Sequence, residues 1–454
     1  MPPTRAAPAH SPQQQWPRGP NNELQHAAFD GLTERTIALL ESGRFDVNQG
    51  NPEGFTPLIC ASRKGHLDIV RVILQKGANL SIANSYGFTA LHVSSQHGHI
   101  EVAKILVEAG APLEAKTLVG STPLHQAAEN AHGGVIKMLA EAGADVNSPR
   151  WASPMGGETF GETPLHLAAT RGHVSATREL LLAKANALAT MANPETGGGF
   201  EIPLECAAFL GHSGVVRELI EHRGIRGCGG TSGGVVALGL AAHGQHTETM
   251  AMLTNAGVVD TGMALARAAA QGREAPVVFL LKHHSLKASG GSVRYANAAR
   301  MREPRKRPLF CSIQGCSPRV VRLLIEAGAD TTASYSVLDM QRGGEVVCRL
   351  TPLALAEQYI SEKTAGDKKL TEQDLQRLKA IRRLLMQVDA VYAVSWLWHA
   401  PSHVFARPTE PTRTSTTTPA AAGTPLTMML PLMRRRAASR GMPLPALFRF
   451  SKKP

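Results

Sequence analysis

Histidine is the residue type whose spacing in this chain first invites a chemical reading. His92, His125 and His166 each follow a leucine, and His66, His99, His173 and His212 each follow a glycine. His92 and His125 lie 33 residues apart, as do His66 and His99. Imidazoles repeated at one structural position would make a ladder of metal ligands or proton carriers. Nothing around them completes such a site. There is no His-Glu-x-x-His run, no phosphate-binding Gly-x-x-x-x-Gly-Lys and no Gly-x-Ser-x-Gly nucleophile turn. Cys311 and Cys316 have no second pair at zinc spacing. The glycine-rich stretch 227–234, with Cys228, Thr231 and Ser232, supplies neither a lysine nor metal-ligand spacing and reads as a loop. The expectation is therefore no enzyme, no catalytic residue, no metal and no cofactor.

The histidines sit inside a larger recurrence. Gly54-Phe55-Thr56-Pro57-Leu58 returns as Gly87-Phe88-Thr89-Ala90-Leu91-His92 and Gly120-Ser121-Thr122-Pro123-Leu124-His125, then as Gly161-Glu162-Thr163-Pro164-Leu165-His166. Gly65-His66-Leu67-Asp68-Ile69-Val70 matches Gly98-His99-Ile100-Glu101-Val102-Ala103 and Gly172-His173-Val174. Each threonine stands where a helix N-cap belongs, one residue before a proline in three of the four units. Gly65, Gly98 and Gly172 fall where a short helix must end in a left-handed turn. A second apolar helix follows, as in Ile69-Val70-Ile73-Leu74, and ends at Gly77, Gly110 or Gly143. No unit can bury its own apolar face, so stability must come from stacking neighbours.

A 33-residue period with this wording resembles the ankyrin repeat. The resemblance implies an all-α solenoid of helix-turn-helix units, each carrying a β-hairpin finger. It also implies that the recurrent histidines are framework residues bonding between neighbouring turns. Partners are expected to bind the concave groove and the fingers.

About ten units can be counted, beginning with a cap at Leu24-Gln25-His26-Ala27-Ala28 and ending with a unit opened by Thr351-Pro352-Leu353. Residues 1–20 are expected to be a disordered N-terminal segment. Residues 21–258 form a first stack, 259–399 hold degenerate repeats and a C-terminal cap, and 400–454 are a disordered basic tail rich in Thr, Pro and Ala. Ala131 and Lys184 replace helix-ending glycines, and the interval from Ala264 to Pro308 is too long for one plain repeat. These departures leave open a hinge or a break in the middle of the array.

Net charge is +12, unevenly placed. From Ala400 onward nine Arg and Lys stand against one acid, Glu410, and Arg5 and Arg18 lie near the start. The array itself is left close to neutral, so any contact with nucleic acid belongs to the tail. Cys60, Cys206 and Cys311 share one slot two residues after a leucine, which suits packing and a reducing compartment. No apolar leader or membrane-length segment is evident, and the expected location is cytoplasm or nucleus, as a monomer.

The candidate partner-binding residues are the finger tips and the polar pairs that end each first helix. On the fingers these are Tyr86, Leu118 and Val119. Two stretched intervals, 41 residues from Pro123 to Pro164 and 39 from Pro164 to Pro203, add long loops carrying Trp151 and Met155. Insertions in repeat arrays land on surface loops, often on the binding face. The helix-end pairs supply Arg63, Lys64, Gln96, His97 and Arg171, while Phe209-Leu210 breaks that polar trend. Arg305-Lys306-Arg307 resembles a nuclear-import signal. Arg434-Arg435-Arg436 resembles a basophilic-kinase site with Ser439 as acceptor.

Overall fold

A computed structural model of the chain describes residues 22–151, 160–193, 199–227, 230–260, 262–287, 308–331, 335–339, 345–364 and 371–399. Met155, the Arg305–Arg307 cluster and Ser439 lie outside these residues. The array begins with α1 (Glu23–Asp30) and α2 (Thr33–Glu41). It continues with α3 (Pro57–Lys64), α4 (Leu67–Gln75), α5 (Ala90–His97), α6 (Ile100–Glu108), α7 (Pro123–Glu129) and α8 (Gly133–Glu141). Then come α9 (Pro164–Arg171), α10 (Val174–Leu182), α11 (Pro203–Leu210), α12 (Ser213–Gly227), α13 (Gly230–Gly244) and α14 (Thr247–Asn255). The last described helices are α15 (Met263–Ala270), α16 (Glu274–Lys287), α17 (Pro308–Gln314), α18 (Pro318–Glu326), α19 (Pro352–Thr364) and α20 (Glu372–His399).

The helices form two layers. Each odd-numbered helix from α1 to α19 packs on the next odd one, and each even-numbered helix from α2 to α18 packs on the next even one. One hydrophobic core follows both layers from Ala28 to Leu385. This is the all-helical solenoid that the repeat implies, and its packing passes without interruption through the irregular units from α11 to α19.

Local chemistry explains why the helices start and stop where they do. Thr56 Oγ1 accepts the Ile59 N–H at 3.3 Å, capping α3. Where threonine is missing, other groups substitute. Glu205 Oε2 accepts the Ile202 N–H at 3.3 Å before α11. Both Asp260 oxygens accept N–H groups of α15, from Ala264 and Leu265, each at 3.1 Å. Gly65, Gly98 and Gly172 end their helices with φ of 77°, 74° and 76°. Ala131 and Lys184, which lack glycine's freedom, still take the left-handed turn at φ 65°. Tertiary stacking overrides a penalty of about 1–2 kcal/mol at each.

The described part of the glycine-rich stretch is not a loop. Its described residues continue α12 to Gly227 and open α13 at Gly230. Val235, Ala237, Leu238, Ala241 and Ala242 bring that helix into the shared core, and this packing outweighs the low helix propensity of glycine.

The two long fingers also depart from simple loops. Strands β1 (Arg150–Trp151) and β2 (Phe160–Glu162) pair antiparallel, as do β3 (Met191–Asn193) and β4 (Gly199–Glu201). Phe160 of β2 also pairs with Ala192 of β3, so neighbouring fingers join into one four-stranded sheet ordered β1-β2-β3-β4. A separate hairpin, β5 (Tyr335–Asp339) with β6 (Glu345–Leu350), precedes α19.

Candidate protein-binding surface

The short fingers are built by asparagine. Asn51 Oδ1 accepts the Glu53 and Phe55 N–H groups at 3.0 and 2.9 Å, and Asn84 Oδ1 accepts those of Tyr86 and Phe88 at 3.0 and 2.9 Å. These side chains take over backbone donors that a tight turn would strand. Thr117 Oγ1 does the same for the Ser121 N–H at 3.1 Å. Successive fingers are then tied together. The Ser85 N–H donates to the Glu53 carbonyl at 2.9 Å, and the Leu118 N–H donates to the Tyr86 carbonyl at 3.2 Å. Gly87 permits that approach, because a β-carbon there would sit 2.8 Å from Thr117 Cα.

This lattice fixes which finger residues face out. Tyr86 is 46% exposed and Leu118 is 70% exposed, with their backbones bonded to one another. Val119 is half-buried. Phe55 is buried and Phe88 packs against the core, with its ring edge-on to His92 at 5.8 Å. Trp151 lies on β1 opposite Phe160.

The helix-end residues divide into free and committed groups. Among the described residues Arg63 and Lys64 have no ion-pair partner, and Lys64 Nζ lies 4.6 Å from the Phe29 ring centroid. Gln96 is half-buried and lends its carbonyl to His132 Nε2 at 3.0 Å. His97 stacks on His99 at 6.1 Å. Loss of hydration, followed by the Arg63 charge, pushes His97 down to about 4, so it is neutral at pH 7. Arg171 is not a free cation. Its Nη2 donates to Glu129 Oε1 at 2.8 Å, and Arg150 Nη1 reaches the other Glu129 oxygen at 3.4 Å. Arg150 also donates to Glu162 Oε2 at 2.8 Å and Ser121 Oγ at 3.0 Å. The network links α7, α9 and the first long finger. Sequence reading missed Arg150, because nothing in its local spacing ties it to Glu129 and Glu162.

The histidines build the frame. His92 Nδ1 accepts the Thr89 N–H at 3.2 Å, which leaves the proton on Nε2 to donate to the Ser121 carbonyl at 3.0 Å. His125 repeats this with the Thr122 N–H at 3.2 Å and the Glu162 carbonyl at 3.3 Å. Burial pushes His92 down to about 4. Burial, with the Arg150 charge added, pushes His125 down to about 3. A second ladder joins repeats through the other histidines. His66, His99, His132, His173, His212 and His246 place Nε2 at 2.9 to 3.1 Å from the carbonyls of Phe29, Arg63, Gln96, Glu129, Thr170 and Phe209.

Cys60, Cys206 and Cys311 are buried free thiols. Burial pushes the Cys60 thiol well above its usual range and Cys311 to about 11, so neither is a nucleophile at neutral pH. Among the described residues no group of His, Cys, Asp and Glu has the arrangement of a metal site. No described helix is long and apolar enough to cross a membrane.

Comparison with known proteins follows the same frame. The family model for ankyrin repeats in three copies matches residues 13–84 and 81–150, and the model for ankyrin repeats in many copies matches residues 124–181. Among curated proteins, Alpha-latrocrustotoxin-Lt1a of Latrodectus tredecimguttatus is 40% identical over 55 residues, which is 12% of this chain and 4% of the toxin. The likeness reaches a small part of either protein. Ankyrin repeats are in general protein–protein interaction modules and non-enzymatic. Matched motifs, stacked helix pairs, left-handed helix ends and two histidine ladders agree: the chain is an ankyrin repeat protein.

Proposed function

We propose that this protein is a scaffold or adaptor that holds partner proteins on the fingers and concave face of its first repeats. The observation that carries the reading is the pairing of exposed Tyr86 and Leu118 on fingers locked together by backbone hydrogen bonds. A preformed surface loses little conformational entropy on binding, and aromatic side chains are favoured anchors. Val119 and Trp151 are further contact residues in this reading, as is Met155, which lies outside the described residues. Arg63, Lys64, Gln96 and His97 supply the polar floor, and Arg171 supports that floor through Glu129. The working location is cytoplasm or nucleus, with the protein acting as a monomer.

A second reading is favoured by the charge of residues 400–454, nine basic residues against one acid. In it the tail contacts nucleic acid or chromatin and the repeats recruit a regulator. Affinity purification with mass spectrometry, comparing the full chain with one ending at His399, separates the two. Recovery of the same proteins by both supports the repeat surface. Loss of those proteins, or of nucleic acid alone, with the tail removed supports the second reading.

A further inference from the structure

From α3 to α17 the first-helix layer carries one arginine in a column otherwise free of charged side chains. Counting back from each helix-ending turn, the equivalent positions are Cys60, Val93, Gln126, Leu167, Cys206, Leu240, Arg267 and Cys311. Arg267 therefore places a guanidinium where its neighbours present thiols, aliphatic groups or an amide. Six residues on, Arg273 stands in the slot that His246 and His212 occupy in the preceding repeats.

Each guanidinium carries one buried, unpartnered nitrogen, and both residues are partly exposed. Arg267 Nη1 and Arg273 Nε are buried with no hydrogen-bond partner, and neither side chain has an ion pair among the described residues. A buried charged donor without an acceptor is costly and calls for an explanation. The neighbouring helix makes room for the arrangement. A β-carbon on Gly239 of α13 would lie 3.1 Å from Arg267 Nη1 and 3.3 Å from its Cδ. One turn further along α13, His243 feels both arginines. Burial first, then Arg273 and Arg267, push its pKa down, which keeps it neutral beside them. The Phe209 ring of α11 stacks on His243 at 5.9 Å. Phe209 is 46% exposed and Leu210 is 41% exposed.

Acids on these helices are already engaged. Glu205 caps α11 and Asp260 caps α15. The face thus runs from an exposed apolar edge, through a neutral imidazole, to two cations with no ion pair among the described residues. We infer that Phe209, Leu210, His243, Arg267 and Arg273 mark a second binding site, which takes an acidic peptide segment of a partner protein. A Glu or Asp carboxylate would sit by Arg267 and Arg273, and an adjacent apolar side chain by Phe209 and Leu210. Carboxylate is the fitting chemistry because guanidinium offers paired, charge-assisted donors. The site deepens the scaffold reading but uses different residues from the finger surface, so the two can fail separately.

The test uses the full chain and a labelled 15-residue peptide alternating Glu with Leu and Phe, alongside its Gln counterpart, in fluorescence anisotropy. The Glu peptide is expected to bind at least tenfold more tightly than the Gln peptide. Arg267→Gln with Arg273→Gln should remove that preference, while Arg63→Gln with Lys64→Gln and Tyr86→Ala should keep it. Equal binding of the two peptides, or a preference unchanged in the Arg267→Gln, Arg273→Gln protein, overturns the site. A photo-crosslinking version of the Glu peptide on the unmodified chain gives a readout free of folding effects. Crosslinks between residues 205 and 275 support the assignment. Crosslinks confined to residues 400–454 or to the fingers overturn it.

Discussion

The imidazole of His132 fills the space that a side chain on Gly98 would need. A β-carbon on Gly98 would lie 2.5 Å from His132 Nδ1, while His132 Nε2 stands 3.0 Å from the Gln96 carbonyl two residues before that glycine. The same relation joins Gly65 to His99, Gly172 to His212 and Gly211 to His246. Glycine is thus required twice, once for φ and once for the contact between repeats.

Replacing Gly98 with alanine should cost about 2–5 kcal/mol, the sum of left-handed strain and overpacking. Urea denaturation read by circular dichroism measures it. Ala131→Gly should act in the opposite direction, raising stability by about 1 kcal/mol, because Ala131 already holds φ 65° at its helix end.

Acid should loosen the array through His92 and His125. Their folded pKa values, about 4 and about 3, lie below the 6.5 of a free imidazole. The unfolded chain therefore binds protons that the native chain refuses, and stability rises with pH across that interval. The full contribution is present above pH 6.5 and is lost as pH falls toward 4 and then 3. Urea midpoints at pH 7.5 and pH 5.0 should show the loss. It should shrink in a protein carrying His92→Asn and His125→Asn. An unchanged pH dependence in that variant would show that other groups cause it.

Arg150 should matter to the long finger more than its isolated place in the sequence suggests. Arg150→Met leaves Glu162 without its cation, while Glu129 keeps Arg171. A loss of about 1–3 kcal/mol is expected for stranding the Glu162 carboxylate. Hydrogen exchange should quicken at residues 150, 151 and 160–162 while α3 to α6 keep their protection.

The frame was legible because it repeats. Threonine caps, glycine turns and leucine slots each carry one physical demand, and recurrence at 33 residues made each demand visible several times. The alternative of metal or proton chemistry at the histidines gave way to hydrogen bonds with backbone carbonyls. Three features were not legible. The helical state of Gly230–Gly244 depends on packing against α11 and α15, which outweighs local glycine content. The sheet joining the long fingers depends on Phe160 meeting Ala192 across two repeats. The engagement of Arg171 depends on Glu129, 42 residues earlier in sequence. Each is a contact between units, and a single unit's pattern does not encode it.

The central claim is that exposed finger residues on the first repeats hold partner proteins. The most direct measurement is quantitative affinity capture with mass spectrometry, using the full chain and the same chain carrying Tyr86→Ala and Leu118→Ser. Tyr86 is 46% exposed and Leu118 is 70% exposed, and circular dichroism and melting check that both chains are equally folded. The account predicts at least a tenfold drop in specifically captured proteins. Capture of the same proteins in the same amounts by both chains would contradict it.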